Sequence, residues 1–331
     1  MKYYPKITKL AVGFALSLIL LFSAYTAWCS TRPMPESPAE NSAWLVYWDM
    51  PKDPNKLPSK KYDSISYFAA YFSDEDQLTL PDDFDSAVLL NNDIPRRYLT
   101  IVNDVVSHNK NSLKSITLVK RTLDGNMKKI IYADKIIALA QKNGFNGIDL
   151  DYEQIFKDKY TAEEYIHFIK ILYDKAYAQN IKLRVILEPS VKFAAYNFPR
   201  GPQYVVMMYN LYGLHSGPGP KADFAFIEQT SNSMKALPGP VGAAFSAGGC
   251  LWGSNGEKRF ISSDQAEMLA QKHQTNTKRD EKSGALFFSY KDESINYTVW
   301  FADKKTIAEW SKKAGEMGIN AISLWRLGDD E

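Results

Sequence analysis

Apolar and polar positions along this chain alternate in a way that predicts short strands separated by helices. Apolar runs at 44–48, 64–70 and 98–103 read as the first three strands. Residues 127–143 read as a helix, with Ile130, Ile131, Ile136, Ile137 and Leu139 on helical spacing. Asn143-Gly144 closes it, because both residues tolerate a left-handed backbone. The fourth strand is 147–151, a helix follows at 162–178, and the fifth strand is 182–187, stopped by Pro189. The sixth strand is 204–209, with a helix at 222–237, and the seventh is 241–246, with a helix beginning at 264–272. Residues 285–290 and 297–301 read as a small extra strand pair, 304–317 as a helix and 320–325 as the eighth strand. Strands alternating with helices in this number predict a parallel sheet, closed or open. No glycine-rich phosphate loop follows any strand, which disfavours an open nucleotide-binding sheet.

The N-terminus breaks this pattern. Lys2, Lys6 and Lys9 precede an uncharged, largely apolar run at 10–28, the arrangement of an export signal. Residues 1–29 are expected to be a signal peptide or an uncleaved anchor of roughly 20 residues. The lysines stay on the cytoplasmic side, so the remainder is expected to be extracytoplasmic, secreted or held on the outer membrane face. Trp28 stands where a lipobox needs a small residue before Cys29, which disfavours lipidation. Residues 30–42 hold three prolines among Ser, Glu and Asn and read as a linker, leaving 43–331 as one domain.

Composition narrows the function. With 331 residues, 45% of them hydrophobic, the chain can bury one large core. A formal charge of +2 gives no reason to expect a nucleic-acid partner. Of the two cysteines, Cys250 is expected to be a small buried apolar residue. His108, His167, His215 and His273 show no metal-ligand spacing, so no metal or other cofactor is expected. The 44 Tyr, Phe and Trp residues (20, 17 and 7) suit either a core or a cleft that stacks sugar rings.

The chemistry concentrates at Asn146-Gly147-Ile148-Asp149-Leu150-Asp151-Tyr152-Glu153. On a strand, Asp149, Asp151 and Glu153 share one face, and Ile148, Leu150 and Tyr152 share the other. Asp is a poor strand residue, so these acids are wanted for something. A solvated edge strand and a divalent-metal site of carboxylates are the competing readings.

The run resembles the glycoside hydrolase family 18 signature Asp-Gly-x-Asp-x-Asp-x-Glu, matching at Gly147, Asp149, Asp151 and Glu153 and departing at Asn146. The resemblance implies a (β/α)₈ barrel with this motif on the fourth strand and Glu153 as the catalytic acid. Met207-Met208-Tyr209-Asn210 resembles the family's Met-x-Tyr-Asp element, with Asn210 in place of Asp. Trp325 stands where the family keeps the Trp that floors the sugar site, and Asn103 ends the third strand. The implied catalytic set is Glu153, Asp151, Asp149 and Tyr209, with Asn210, Trp325, Met207 and Asn103 binding substrate. The C-terminal stretch is most similar to the spore-cortex and cell-wall branch, without its LysM repeats.

The resemblance further implies a retaining, substrate-assisted hydrolysis of N-acetylglucosamine (GlcNAc) glycans, whether chitin-like, peptidoglycan or N-glycan core. In it the substrate's acetamido oxygen attacks the anomeric carbon. Asp151 holds the acetamido N–H and Tyr209 bonds its oxygen. Like-charge repulsion from Asp149 and Asp151 is expected to raise the Glu153 pKa, and the two aspartates to share a proton. Asp49 and Glu188, also near strand ends, are expected to be structural. A non-catalytic carbohydrate-binding barrel and a metal-dependent hydrolase remain open, and a monomer is expected.

Overall fold

The computed structural model describes residues 38–50, 61–82, 84, 94–107 and 111–328. The expected export segment, the linker through residue 37 and His108 lie outside them. Eight parallel strands close into a barrel. They are β1 (Glu40–Val46), β2 (Ser64–Phe72, with the two-residue antiparallel β3, Leu78–Thr79, at its side), β4 (Arg96–Val105), β5 (Gly147–Asp151), β6 (Lys182–Leu187), β7 (Gln203–Met207), β8 (Val241–Ser246) and β14 (Ala321–Trp325). β1 pairs with both β2 and β14, so the sheet has no open end. Closure removes the exposed edges that parallel strands would otherwise present.

The helices start where polar caps allow. Ser115 caps α1 (Ile116–Thr122), Asp158 caps α3 (Lys159–Ala178) and Asp223 caps α4 (Phe224–Met234), each side chain accepting from the N–H three residues on. Such a cap satisfies one orphan N–H and is worth about 1 kcal/mol. Between α1 and α3 lies α2 (Asn126–Lys142). Its Ile136, Ile137 and Ala140 are buried in one core with Ile148, Leu150 and Tyr152 from β5, and Phe168, Ile169 and Leu172 from α3. The apolar alternate positions of β5 therefore face the helices. Its acids face the barrel interior. The β6–β7 connection holds one 3₁₀ turn, Phe193–Ala195, and no α-helix.

Four expectations need correction. The first strand is displaced toward the N-terminus. Glu40, Asn41 and Ser42, expected in the linker, are strand, and Tyr47–Asp49 form a 3₁₀ turn. The sixth strand stops at Met207, so Tyr209 and Asn210 lie beyond it. The acids follow a different pairing, as described below. Finally, the strand pair before the last barrel strand is part of something larger. β9 (Gly248–Gly253), β10 (Lys258–Ile261), α5 (Ser263–Lys272), β11 (Lys278–Arg279), β12 (Leu286–Asp292) and β13 (Ile295–Ala302) form an inserted five-stranded antiparallel sheet with a helix. Its own small core contains Leu251, Ala266, Phe288 and Val299. α6 (Lys304–Glu316) then returns the chain to β14. β9 escaped notice because it is glycine-rich. At Gly249 a Cβ would lie 1.8 Å from the Trp300 carbonyl oxygen, so only glycine lets β13 approach.

Candidate active site

The barrel interior is polar below and apolar above. Arg184 is buried at mid-barrel. Its Nε donates to Asp149 Oδ1 at 2.7 Å and its Nη2 to Asp149 Oδ2 at 2.8 Å. The same guanidinium reaches Ser66 (2.6 Å) and Ser42 (3.1 Å), tying β6 to β5, β2 and β1. Its plane sits over the rings of Tyr98 and Trp44, 4.3 and 5.4 Å from the centroids. Tyr98 in turn dictates Gly147, where any Cβ would fall 2.4 Å from that ring. Above this layer, Trp44, Ile186, Val205, Met207 and Ala244 form an apolar floor with Phe68, Tyr209 and Trp325 against it. Trp325 meets the Phe68 ring edge-on at 5.1 Å.

A cleft of about 830 Å³ opens on that floor at the C-terminal ends of the strands. Asp151, Glu153, Met207, Tyr209, Asn210, Asn103 and Trp325 all line it, which leaves Asp149 as the expected site residue outside the lining. Trp48 and Leu113 on its lining, and Phe260 from the inserted sheet, are exposed apolar groups. An adjoining lobe of about 590 Å³ shares Tyr209, Asn210 and Trp325 and adds Lys221, Gln265 and Arg326.

Glu153 lies just past β5, and the backbone holding it is fixed. Asn103 Oδ1 accepts from the Glu153 N–H at 2.9 Å, and Asn103 Nδ2 donates to the Glu153 carbonyl at 3.1 Å. Asn103 is buried, with its amide engaged on that main chain, so in this structure it positions the acid. The next residue, Gln154, is left-handed, and its N–H donates to Glu188 Oε2 at 2.7 Å. Glu188 therefore caps the backbone beside Glu153, while Asp49 is ion-paired with Arg326.

Burial is the main force raising the Glu153 pKa. Lys114, whose Nζ donates to Glu153 Oε2, opposes it by charge and hydrogen bond, while Glu188 and Asp104 push upward. The repulsion expected from Asp149 and Asp151 is thus not the leading cause. Asp151 is held well above the ordinary carboxyl range, first by burial and then by the Glu153 charge. Among the described residues its Oδ1 is buried with no hydrogen-bond partner. No hydrogen bond joins Asp149 to Asp151. Asp149 pairs with Arg184 in place of the expected Asp151 partner, because Arg184 faces it directly across the β5–β6 register. Burial and the charges of Asp151 and Glu153 raise the Tyr209 hydroxyl, keeping it a donor.

The model of glycosyl hydrolases family 18 matches residues 43–330 of this sequence. The chain belongs to that family. Among curated proteins it is 25% identical over 231 residues to the uncharacterized glycosylase YvbX of Bacillus subtilis, covering 64% of this chain and 66% of YvbX. It is 23% identical over 249 residues to the cortical fragment-lytic enzyme of the same organism, covering 68% of this chain and 56% of that enzyme. The chain thus spans less than two thirds of the length of these relatives. The crystal structure of the Bacillus cereus spore cortex-lytic enzyme SleL superposes with a TM-score of 0.73 at 19% identity, over 88% of this chain and 72% of SleL.

This family 18 member departs from the signature at Asn146 for a local reason. Asn146 Oδ1 accepts from the Arg97 N–H at 2.8 Å while its Nδ2 donates to the Pro95 carbonyl at 3.0 Å. An aspartate supplies only the first of these. Two residues at the site went unnoticed in the sequence. Arg184 left a usable trace: in a strand of period two, it is a charge on the inward face beside an inward Asp. Lys114 left none, being one lysine in a polar loop.

Proposed function

We propose that this chain hydrolyses β-glycosidic bonds in GlcNAc-containing glycans by the retaining, substrate-assisted route, outside the cytoplasmic membrane. One observation supports this most. The Asp151 carboxyl, whose Oδ1 is buried with no partner among the described residues, lies with Glu153 and Tyr209 along one open cleft on an apolar, partly aromatic floor. A buried carboxyl without a partner costs free energy unless a ligand completes it. An acetamido N–H is such a ligand. Glu153 protonates the glycosidic oxygen, Asp151 orients the acetamido group, and Tyr209 donates to its carbonyl as that oxygen attacks the anomeric carbon. Trp325 and Met207 carry the sugar face, and Asn210 stands at the rim. Asp149 acts at a distance, through the electrostatics of the barrel interior. The names of the relatives point toward cell-wall glycan as the substrate class, and the lysines before the N-terminal apolar run support export.

The Lys114 ion pair favours a second reading, a carbohydrate-binding barrel without turnover, because it occupies the Glu153 carboxyl and favours its charged form. One experiment separates them. The protein is incubated with chitooligosaccharides and with purified peptidoglycan, and products are read by mass and by NMR of the first-formed anomer. Hydrolysis with β product, slowed about 10²–10⁴-fold in Glu153→Gln, supports the catalytic reading. First-formed α product rules out retention. Binding without products supports the second reading.

A further inference from the structure

Lys114 is placed with a firmness its loop sequence does not suggest. Its φ is 54°, a left-handed backbone that side chains with a Cβ disfavour. Bonds on both sides enforce it. Val105 and Ser112 exchange backbone bonds of 2.9 and 2.8 Å, and the Ser115 N–H donates to the Asn103 carbonyl at 2.8 Å. The Lys114 N–H itself donates to Asp104 Oδ1 at 2.7 Å. The outcome is an ammonium delivered to Glu153 Oε2, with 40% of the Lys114 side chain still open to the cleft. Asp151, Glu188 and Asp104 are the other charged groups around the pair, and Tyr209 faces the two carboxyls.

An ammonium bonded to a carboxyl favours its charged form and occupies an oxygen that the glycosidic oxygen must meet, here against the burial that raises Glu153 on balance. Proton transfer from Glu153 is therefore favoured when Lys114 takes another partner as substrate binds. That partner must be anionic and must lie on the leaving-group side, where Glu153 meets the glycosidic oxygen. In a β-1,4-linked glycan the leaving sugar is joined through O4, and O3 is its neighbour. A carboxylate-bearing ether on O3 thus lies beside the scissile bond. We propose that Lys114 is a specificity-determining residue: it pairs with Glu153 in the free protein and releases it to glycans whose leaving sugar carries a carboxylate there, as a 3-O-lactyl group does. This rests on the glycosidase reading above and narrows its substrate class.

The test compares three probes: chitohexaose, peptide-free strands of alternating GlcNAc and N-acetylmuramic acid, and the same strands with the lactyl carboxyls methyl-esterified. kcat/KM, its pH profile and calorimetric Kd are measured for wild type, Lys114→Met and Lys114→Arg. Wild type is expected to prefer the acid strand over its ester by roughly tenfold, the scale of one charged hydrogen bond. Lys114→Met should lose that preference, gain activity on chitohexaose and keep it to higher pH, since the influence lowering the Glu153 pKa is gone. Lys114→Arg should retain the preference. Equal treatment of acid and ester by wild type, or a preference that survives in Lys114→Met, overturns the proposal. If no probe is cleaved, the glycosidase reading fails on its own. Calorimetry then decides Lys114 separately: an acid-strand preference lost in Lys114→Met supports its selecting role, and equal affinities refute it.

Discussion

Replacing Arg184 by Met tests the pairing that organises the barrel interior. Methionine keeps much of the side-chain length while removing the guanidinium. The substitution removes two bonds to Asp149, at 2.7 and 2.8 Å, and those to Ser66 and Ser42. Among the described residues, the fully buried Asp149 is then left with Thr100 Oγ1 at 3.3 Å as its hydrogen-bond donor. Stranding one member of a buried ion pair costs about 3–5 kcal/mol. For a large domain each kcal/mol moves the melting temperature by roughly 2 °C, so a fall of about 6–10 °C is expected. Adding Asp149→Asn removes the stranded charge, and the double variant should recover most of the loss. Urea unfolding of the four proteins gives the coupling energy, provided each transition is two-state. An Arg184→Met variant within about 1 kcal/mol of wild type, or a strictly additive double variant, refutes the assigned pairing.

Other substitutions probe the site and its support. Asp151 has a raised pKa, so the fold binds its proton more tightly than the unfolded chain does. Its stabilising contribution is full below the unfolded value of about 3.9 and is lost as pH rises through the higher folded value. Asp151→Asn should flatten that pH dependence and raise neutral-pH stability in thermal melts, while activity falls sharply. Tyr209→Phe should weaken inhibition by a thiazoline mimic of the cyclic intermediate by about 1–3 kcal/mol, the cost of one unmade buried hydrogen bond. Asn146→Asp restores the family residue but loses the bond to the Pro95 carbonyl. It should destabilise by about 0.5–1.5 kcal/mol in urea melts with kcat unchanged.

What the sequence revealed depended on how local each cause was. The alternation at 147–151 is set by one strand's own faces, so the inward acids and outward Ile148 and Leu150 were readable directly. The 182–187 and 241–246 strands were bounded correctly for the same reason. The inserted sheet was half seen, because the strand pairing of 286–292 with 295–302 is local while β9 depends on a distant neighbour for its burial. The electrostatics of the acids was the least legible. Spacing suggested that Asp149 and Asp151 interact, and only the register across β5 and β6 brings Arg184 to the first of them. Asn103 was visible as a polar strand-end residue, but its two bonds to Glu153 need the fold to close.

Three acids at one spacing thus acquire three environments, and each environment follows from depth along the strand. Asp149, deepest, meets Arg184, itself buried and bonded to Ser42 and Ser66. Asp151, one strand step higher, is buried with an open acceptor, and burial favours its neutral form. Glu153, beyond the strand, meets a cation on a side chain still partly exposed in the cleft. The deep pair ties β6 to β5, β2 and β1, while the two upper carboxyls line the cleft. At the cleft, burial raises Glu153 while Lys114 opposes it, and under the proposed mechanism a bound glycan alters that balance.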